Sequence, residues 1–358
     1  MNDKKTLEEK LKELSMELER QKNNRYDIVV PSEQLIVLKD GDKIFIDVPQ
    51  PSGDMKRHGI TDYCHGQIAD KTGIPMKYYR KMQDAGKLDL LAENINSWLP
   101  TKEKRLIRVL DGEVRAVLSD RYRIIDNYDV FYAVLDEFAR IMRDTGIRIQ
   151  IRDARLTDQH IYIKAVSPDL TGEVFHLKDR VEPVHGGIII SNSEVGAGSF
   201  QVKPFINVLV CQNGLISDKI FKRVHLGKEL GCGLVNWSDE TLSLEDKALW
   251  SKIRDMIRAT FNRDVFQRWV DEINKVSVNV LEKPVEAVDN IIKKYNIPQS
   301  KKDALLNQFS LEGNTQWGLS MAVTRIAQDE ESYEEQIKME HVGAKILELK
   351  KEELVKEA

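Results

Sequence analysis

Apolar residues recur along this chain at two different periods, and the change of period divides it. Over residues 4–23, Leu7, Leu11, Leu14 and Leu18 stand at spacings of 4, 3 and 4 among Glu and Lys. That is the single stripe of an amphipathic helix. It either docks on its own domain or serves as a short self-association arm. From Arg25 the period falls to two. RYDIVV, QLIVLKDG and DKIFIDVP read as strands, with KDGD as the turn between the last two. ITDYCHGQIADKTGIPMKYYRKM reads as two helices broken at Thr72-Gly73-Ile74-Pro75, and LDLLAENINSWL as a third that Pro100 ends. RLIRVLDGEVRAVL is a hairpin around Asp111-Gly112, and YDVFYAVLDEFARIMRDTG is a long helix stopped by Gly146.

Alternating strands return in RIQIRDARL and QHIYIKAVS, and again in GGIIISNSEVGAGSFQVKPFINVLVCQNGL. After about Trp237 they cease, and SLEDKALWSKIRDMIRATFNRDVFQRWVDEINKVS opens a run of helices to the end. The pattern predicts an α+β fold: an antiparallel, hairpin-rich sheet covered by helices, followed by a helical C-terminal region. It divides into an amphipathic N-terminal helix (1–24), an α+β core domain (25–236) and the helical region (237–358).

Composition narrows the function classes. With 358 residues, 41% of them hydrophobic, the chain has a real core. A formal net charge of -4 gives no global basic footprint, so nucleic acid would have to be met by a local patch. The three cysteines, Cys64, Cys211 and Cys232, are too far apart for a C-x-x-C site, which fits a reducing compartment. The charged N-terminus is unlike a signal peptide, and no apolar run is long enough to span a bilayer. The expectation is a cytoplasmic protein that does not enter the membrane.

No phosphate-binding P-loop, nucleophile elbow or H-E-x-x-H motif occurs. VGAGSF holds only G-x-G between strands, without the third glycine of a dinucleotide fingerprint. The seven histidines never fall at metal-ligand spacing on one element. Asp120, Asp126, Glu182, Glu194 and Lys203 are the residues a metal-dependent nuclease would draw on, but no strand-borne pair stands out. The expectation is no metal and no cofactor.

The strongest chemical signal is cationic. Lys102, Lys104, Arg105, Arg108, Arg115, Arg121 and Arg123 crowd one stretch. Strand alternation puts Arg105, Ile107 and Val109 on one face and Leu106, Arg108 and Leu110 on the other, so these cations cannot share one surface. Arg121 and Arg123 flank Tyr122. The triplet suits a phosphate backbone with a stacked base. Equally, the two arginines could pair with Asp120 and Asp126 to tie the loop down. Lys203, Lys222 and Arg223 are further candidates for the same groove, with Phe200 or Phe205 as added stacking surfaces.

Ser191–Ser199, SNSEVGAGS, carries more polar groups than a turn needs. Asn192 offers an amide, Gly196 and Gly198 allow close backbone approach, and free N–H groups there could hold a phosphate. One reading makes this loop face the Arg121-Tyr122-Arg123 loop and complete a site. The other leaves Glu194 and Asn192 as a buttress for the arginine loop.

The strings GEVRAVLSDRYRIIDN and GGIIISNSEVGAGSFQVKPFINVLVCQNGLI, with TDYCHGQIADKTGIPMKYYRKM, LLAENINSWL and NTQWGLSMAVTRIAQ, resemble a phage- and plasmid-borne family, domain of unknown function 932. The likeness runs with gaps from about residue 55 to 330. It implies an accessory protein of a mobile element, among replication and recombination functions. The fold pattern is also similar, more weakly, to phage single-strand annealing proteins of the Red-beta and Erf kind. The expected function is a non-enzymatic nucleic-acid-binding protein of a phage or mobile element. It would bind or anneal single-stranded DNA as a homo-oligomer, through Arg108, Arg115, Arg121, Tyr122, Arg123, Asn192, Gly196, Gly198, Lys203, Lys222 and Arg223. Two alternatives stay open: a protein-interaction or host-defence antagonist protein, and a metal-dependent nuclease using Asp120, Asp126 and Glu194.

Overall fold

The computed structural model describes residues 6–177, 180–209, 214–216 and 239–355. Helix α1 (Leu7–Asn24) starts from a Thr6–Glu9 capping box. Strands β1 (Arg25–Pro31), β2 (Ile36–Asp40), β3 (Lys43–Pro49) and β4 (Met55–Ile60) follow, then helices α2 (Asp62–Thr72), α3 (Met76–Asp84) and α4 (Leu88–Trp98). The hairpin β5 (Lys104–Leu110) and β6 (Glu113–Ser119) leads into helix α5 (Asn127–Thr145). Strands β7 (Gln150–Leu156), β8 (Ile161–His176), β9 (Arg180–Asn192), β10 (Gln201–Val208) and β11 (Gly214–Ile216) complete the strands among the described residues. Helices α6 (Asp239–Thr260), α7 (Arg263–Ser277), α8 (Pro284–Tyr295), α9 (Lys302–Glu312), α10 (Gln316–Ala327), α11 (Tyr333–Ile346) and α12 (Lys351–Leu354) follow. The fold is α+β. Turn chemistry fixes the β5–β6 hairpin: Asp111 and Gly112 both take positive φ, 51° and 82°, the combination a two-residue hairpin needs.

The strands form two sheets rather than one. The first has order β1-β5-β6-β4-β3-β2, and the second β11-β10-β9-β8-β7. All ladders are antiparallel except β4 with β6, where Gly59 pairs with Glu113 and Ile60 with Val114. A parallel pair needs a long crossover. Here it is α2–α4 plus β5, and the helices lie on one face of the first sheet. Cys64, Ile68, Tyr79, Leu91 and Ile95 pack there on Ile46, Val48, Ile107 and Val117.

The second sheet is covered on both faces. Ile161, Ile163, Ile188, Ile190 and Ile206 face α1, α5, α6 and α7 through Leu18, Phe131, Ile253 and Phe266. Leu14 and Leu18 are buried in this layer, so the α1 stripe docks on its own chain. The same core takes residues from both sides of position 236, and α6 and α7 belong to the layer over this sheet. Helices α8–α12 enclose an apolar core of their own around Ile291, Phe309, Val323 and Ile346. On the opposite sheet face Tyr162, Val166, Ile189 and Phe205 meet Tyr333 of α11. Among the described residues no helix is long and apolar enough to cross a membrane.

One buried ion pair ties α11 to this sheet. Lys164 Nζ donates to Glu340 Oε1 and Oε2 at 2.9 and 2.7 Å. The two side chains are only 9% and 2% exposed. Removing one member strands the other charge, which costs about 3–5 kcal/mol. Glu340→Leu should therefore lower the urea midpoint far more than the double variant Lys164→Met/Glu340→Leu does. A double variant as unstable as the single would show that the helix is held by something else.

Candidate functional site

The first sheet's other face carries a cluster of six charged groups, of which Arg108, Arg115 and Glu194 are buried. Its centre is Arg108, whose side chain is 0% exposed. The strand register sets Arg108 directly opposite Asp27 on β1. Its Nε and Nη2 donate to the two Asp27 oxygens at 2.9 and 3.0 Å, a fork-to-fork pair. Nη2 also donates to Asp126 Oδ1 at 2.9 Å, and Nη1 donates to the Glu194 carbonyl at 2.8 Å. Arg25, two residues before Asp27 and so on the same face, pairs with Asp126 and approaches Glu194 Oε1 to 3.5 Å.

Arg115 reaches the cluster because β6 is bulged. Arg108 pairs with Ala116 and Val109 with Val114, so Arg115 is the extra residue between them. Val114 and Val117 both stay in the helix-side core although they are three apart. The bulge thus turns Arg115 to the Arg108 side, where Nη2 lies 2.6 Å from Glu194 Oε2. That contact is an ion pair off the N–H direction. Among the described residues Arg115 Nε and Nη2 have no hydrogen-bond acceptor.

Three arginines therefore meet Asp27, Asp126 and Glu194. Burial alone would drive Arg108 towards neutrality. The Asp27 hydrogen bonds, with Asp126 and Glu194 near by, more than reverse this and raise its pKa. Burial likewise pushes Asp126 up, but hydrogen bonds from Arg25 and Arg108 prevail and hold it below the usual carboxylate range. Asp126 stands at the N-cap of α5, yet its side chain makes no cap hydrogen bond. Glu194, from another sheet, takes that place: Asn127 N–H donates to Glu194 Oε1 at 2.5 Å.

Asn192–Val195 of the 191–199 loop are buried, and most of the polar groups there are engaged within the protein. The carbonyls of Ser193, Glu194 and Val195 accept from Tyr122 Oη, Arg108 and Gln67 Nε2 at 2.8, 2.8 and 2.7 Å. The N–H groups of Val195 and Ala197 donate to Ser193 Oγ at 3.3 and 3.0 Å. They are not free for a phosphate, which corrects that expectation. Asn192 Nδ2 donates to the Ile125 carbonyl and to Asn127 Oδ1, so this amide is a brace. Gly196 has φ 80°, and a Cβ there would come within 2.6 Å of Leu118, so its role is close packing. Gly198 is half-buried beside His160.

The expected nucleic-acid contacts are thus redistributed. Arg108 and Arg115 are buried in the ion cluster and present no surface to a phosphate. The two loops do meet, through Tyr122 and Ser193, but the arginines on Glu194 are Arg25 and Arg115. Tyr122 is packed against Leu106, Leu118 and Val195, and Phe200 and Phe205 are buried, so none is an open stacking face. Arg121 is exposed, and Arg123 and Lys203 are half-buried. Lys222 and Arg223 lie outside the described residues. Asp126 and Glu194 approach each other across arginines, and among the described residues no three potential ligands gather to hold a metal ion. Sequence reasoning missed Arg25 and Asp27, whose only signal is a charged pair at alternate positions in RYDIVV.

A cationic edge remains where β5 begins and β6 ends. Arg105 pairs in register with Ser119, which brings Lys102 and Lys104 alongside Asp120 and Arg121. Lys71, at the end of α2, is held below the usual lysine range by burial and then by nearby Arg105. Of the five cations there, Arg105 is ion-paired with Glu103 and its side chain is 14% exposed, while Lys102, Lys104 and Arg121 are exposed. Trp98, the last residue of α4 and four residues before Lys102, is 63% exposed. Comparison with protein-family models, curated proteins and solved structures gives no match. What the site does follows from its own geometry.

The lowered Asp126 sets a pH dependence. A carboxylate with a depressed folded-state pKa stabilises the fold above its unfolded value and loses that contribution as pH falls through the folded value. Stability should thus fall on acidification below about pH 4, with a smaller fall in Asp126→Asn, read as thermal midpoint against pH. Arg108→Met should cost about 3–5 kcal/mol, and Arg108→Lys should not restore it, since an ammonium cannot fork to Asp27.

Proposed function

We propose that the protein binds single-stranded nucleic acid at the cationic edge formed by Lys71, Lys102, Lys104, Arg105 and Arg121, with Trp98 as the base-stacking surface. The observation that carries the reading is an exposed tryptophan that precedes Lys102 by only four residues, in a chain whose net charge is -4. Positive charge drawn to one edge serves a polyanion, because phosphate affinity scales with the cations brought to the backbone. An open indole beside such a track accepts any unpaired base. Arg108 and Arg115 are buried and Tyr122 is packed on Leu106, Leu118 and Val195, so the reading rests on the sheet's edge rather than its face. The setting, recombination or replication in a phage or other mobile element, rests on the VLSDRYR and SNSEVGAGS resemblance.

Titration of the full chain with a labelled single-stranded oligonucleotide tests this. Trp98→Ala should weaken binding by about 1–3 kcal/mol. Lys102→Glu with Lys104→Glu should lower the salt slope by roughly 0.7 for each phosphate that is no longer neutralised. Magnesium and EDTA should give the same isotherm. No binding at micromolar protein, or binding that ignores these changes, sinks the reading.

A further inference from the structure

The β8–β9 pair runs on beyond both of its neighbours. The β7 ladder ends at Val166 of β8, and the β10 ladder reaches β9 only as far as Val184. Past them, Glu173–His176 and Arg180–Pro183 form a two-stranded ribbon. Its inner face is buried at Val174 and His176, and the His176 ring lies 6.2 Å from that of Trp317 on α10. Its β8 edge is closed by α7. Phe175 N–H donates to Asn274 Oδ1 at 2.8 Å, and Asn274 Nδ2 donates to the Glu173 carbonyl at 2.9 Å. Ser277 Oγ donates to the Phe175 carbonyl at 2.5 Å. An added strand finds no free groups on that edge, so the ribbon has to be recognised there by its side chains.

The outer face is apolar and open. Phe175 and Val181 are cross-strand partners, and both are exposed. Leu177 follows at the tip and rests on Gly313, where a Cβ would meet it at 2.7 Å. Val278 stands one residue beyond Ser277, Val280 bridges to Thr315, and Leu311 comes two residues before Gly313. These six are between 40% and 73% exposed. On the order of 500 Å² of apolar surface is thereby open, the upper end of what a monomer shows. Apolar atoms make up little more than half of a specific interface. With its polar rim the face is therefore near the roughly 800 Å² that each partner of a stable pair contributes. A groove of about 460 Å³ lies alongside, lined by Phe175, Pro183, Leu209, Asp271 and Asn274, so the face has a hollow as well as projections.

Its charges stand at its two ends. Glu173, two residues before Phe175 and so on the same face, is exposed. Arg180, at the ribbon's tip, is exposed as well. Neither side chain has a hydrogen bond or ion pair among the described residues. An acid at one end, a base at the other and apolar residues between them make a surface that complements itself after a half-turn. We infer that this face pairs with the same face of a second copy of the chain about a two-fold axis, each Arg180 meeting the partner's Glu173. A partner of one charge sign would leave one end unmatched. The ribbon belongs to the second sheet, whereas the cationic edge belongs to the first, so the inference stands apart from nucleic-acid binding.

Sedimentation equilibrium of the full chain without nucleic acid, from about 1 to about 300 μM, tests it. A reversible monomer–dimer equilibrium is expected, with a dissociation constant on the order of 10 μM. Phe175→Asp with Leu311→Asp should weaken pairing at least about tenfold, with near-UV circular dichroism reporting whether the fold persists. Glu173→Arg or Arg180→Glu alone sets like charges together twice across the axis and should also weaken pairing at least about tenfold. The exchange Glu173→Arg with Arg180→Glu should return it to within about threefold of the parent. These two side chains are exposed and unpaired, so the exchange decides even where the apolar variant does not fold. The inference is overturned if the chain stays monomeric at about 300 μM. It is equally overturned if the folded apolar variant pairs as well as the parent, or if the exchange pairs no more tightly than the single changes.

Discussion

A guanidinium with no solvent contact is the constraint around which the rest of this structure is arranged. Moving an ion of that size out of water costs several kcal/mol even after relaxation. Arg108 has to be met on every side, and it is met from three places: Asp27 on β1, Asp126 before α5, and the main chain and side chain of Glu194 beyond β9. Each was brought there by a different piece of fold. Removing any one would leave the others with uncompensated charge. The position of the first sheet against the second, and the start of α5, therefore share one electrostatic requirement. The cap exchange makes the coupling plain: Asp126 turns from its own helix to two arginines, and Glu194 crosses to the vacated N–H.

This arrangement separates the arginines by role. Those that alternation and bulge turn inward are neutralised by carboxylates, and their charge does not reach solvent. Where the chain enters β5 and leaves β6, cations stay at the surface. Lys102 and Arg121 lie beyond the β5–β6 ladder, and Lys104 pairs only with Pro31 at the end of β1. The proposed nucleic-acid contact follows from where the strands stop.

Much of the local structure was legible. The period of two placed Leu106 and Arg108 on one face and Ile107 and Val109 on the other, and the structure keeps that division. Gly73, Pro100, Asp111-Gly112 and Gly146 ended their elements because each fixes a backbone that cannot continue. What could not be read was which face meets what. Alternation is blind to partners, and the β4–β6 pairing joins strands with three helices between them. That non-local pair splits the strands into two sheets. Arg115 was hidden by its bulge, which breaks the period of two. SNSEVGAGS reads as open and polar, but its groups are absorbed by Tyr122, Gln67 and Arg108 from far along the chain. Trp98 reads as an ordinary last residue of an apolar helix, and only the fold shows that it is exposed.

A buried ionic cluster is a poor way to gain stability, since well-packed apolar groups of the same volume often do as well. Its physical effect here is on register. β1 is an edge strand whose two faces are both partly covered, so apolar pattern alone fixes its pairing weakly. Arg108 pairs with Asp27 only in the register seen. A slip of one residue either way would set Arg108 opposite Tyr26 or Ile28 and carry Arg25 and Asp27 to the other face. Arg108 would then lose its fork, and Asp126 its second arginine. The same slip would move the chain leaving α1, whose Leu14 and Leu18 are anchored on the second sheet. The charge cluster thus makes wrong pairings costly in a strand that links two modules, where an apolar contact would have tolerated them.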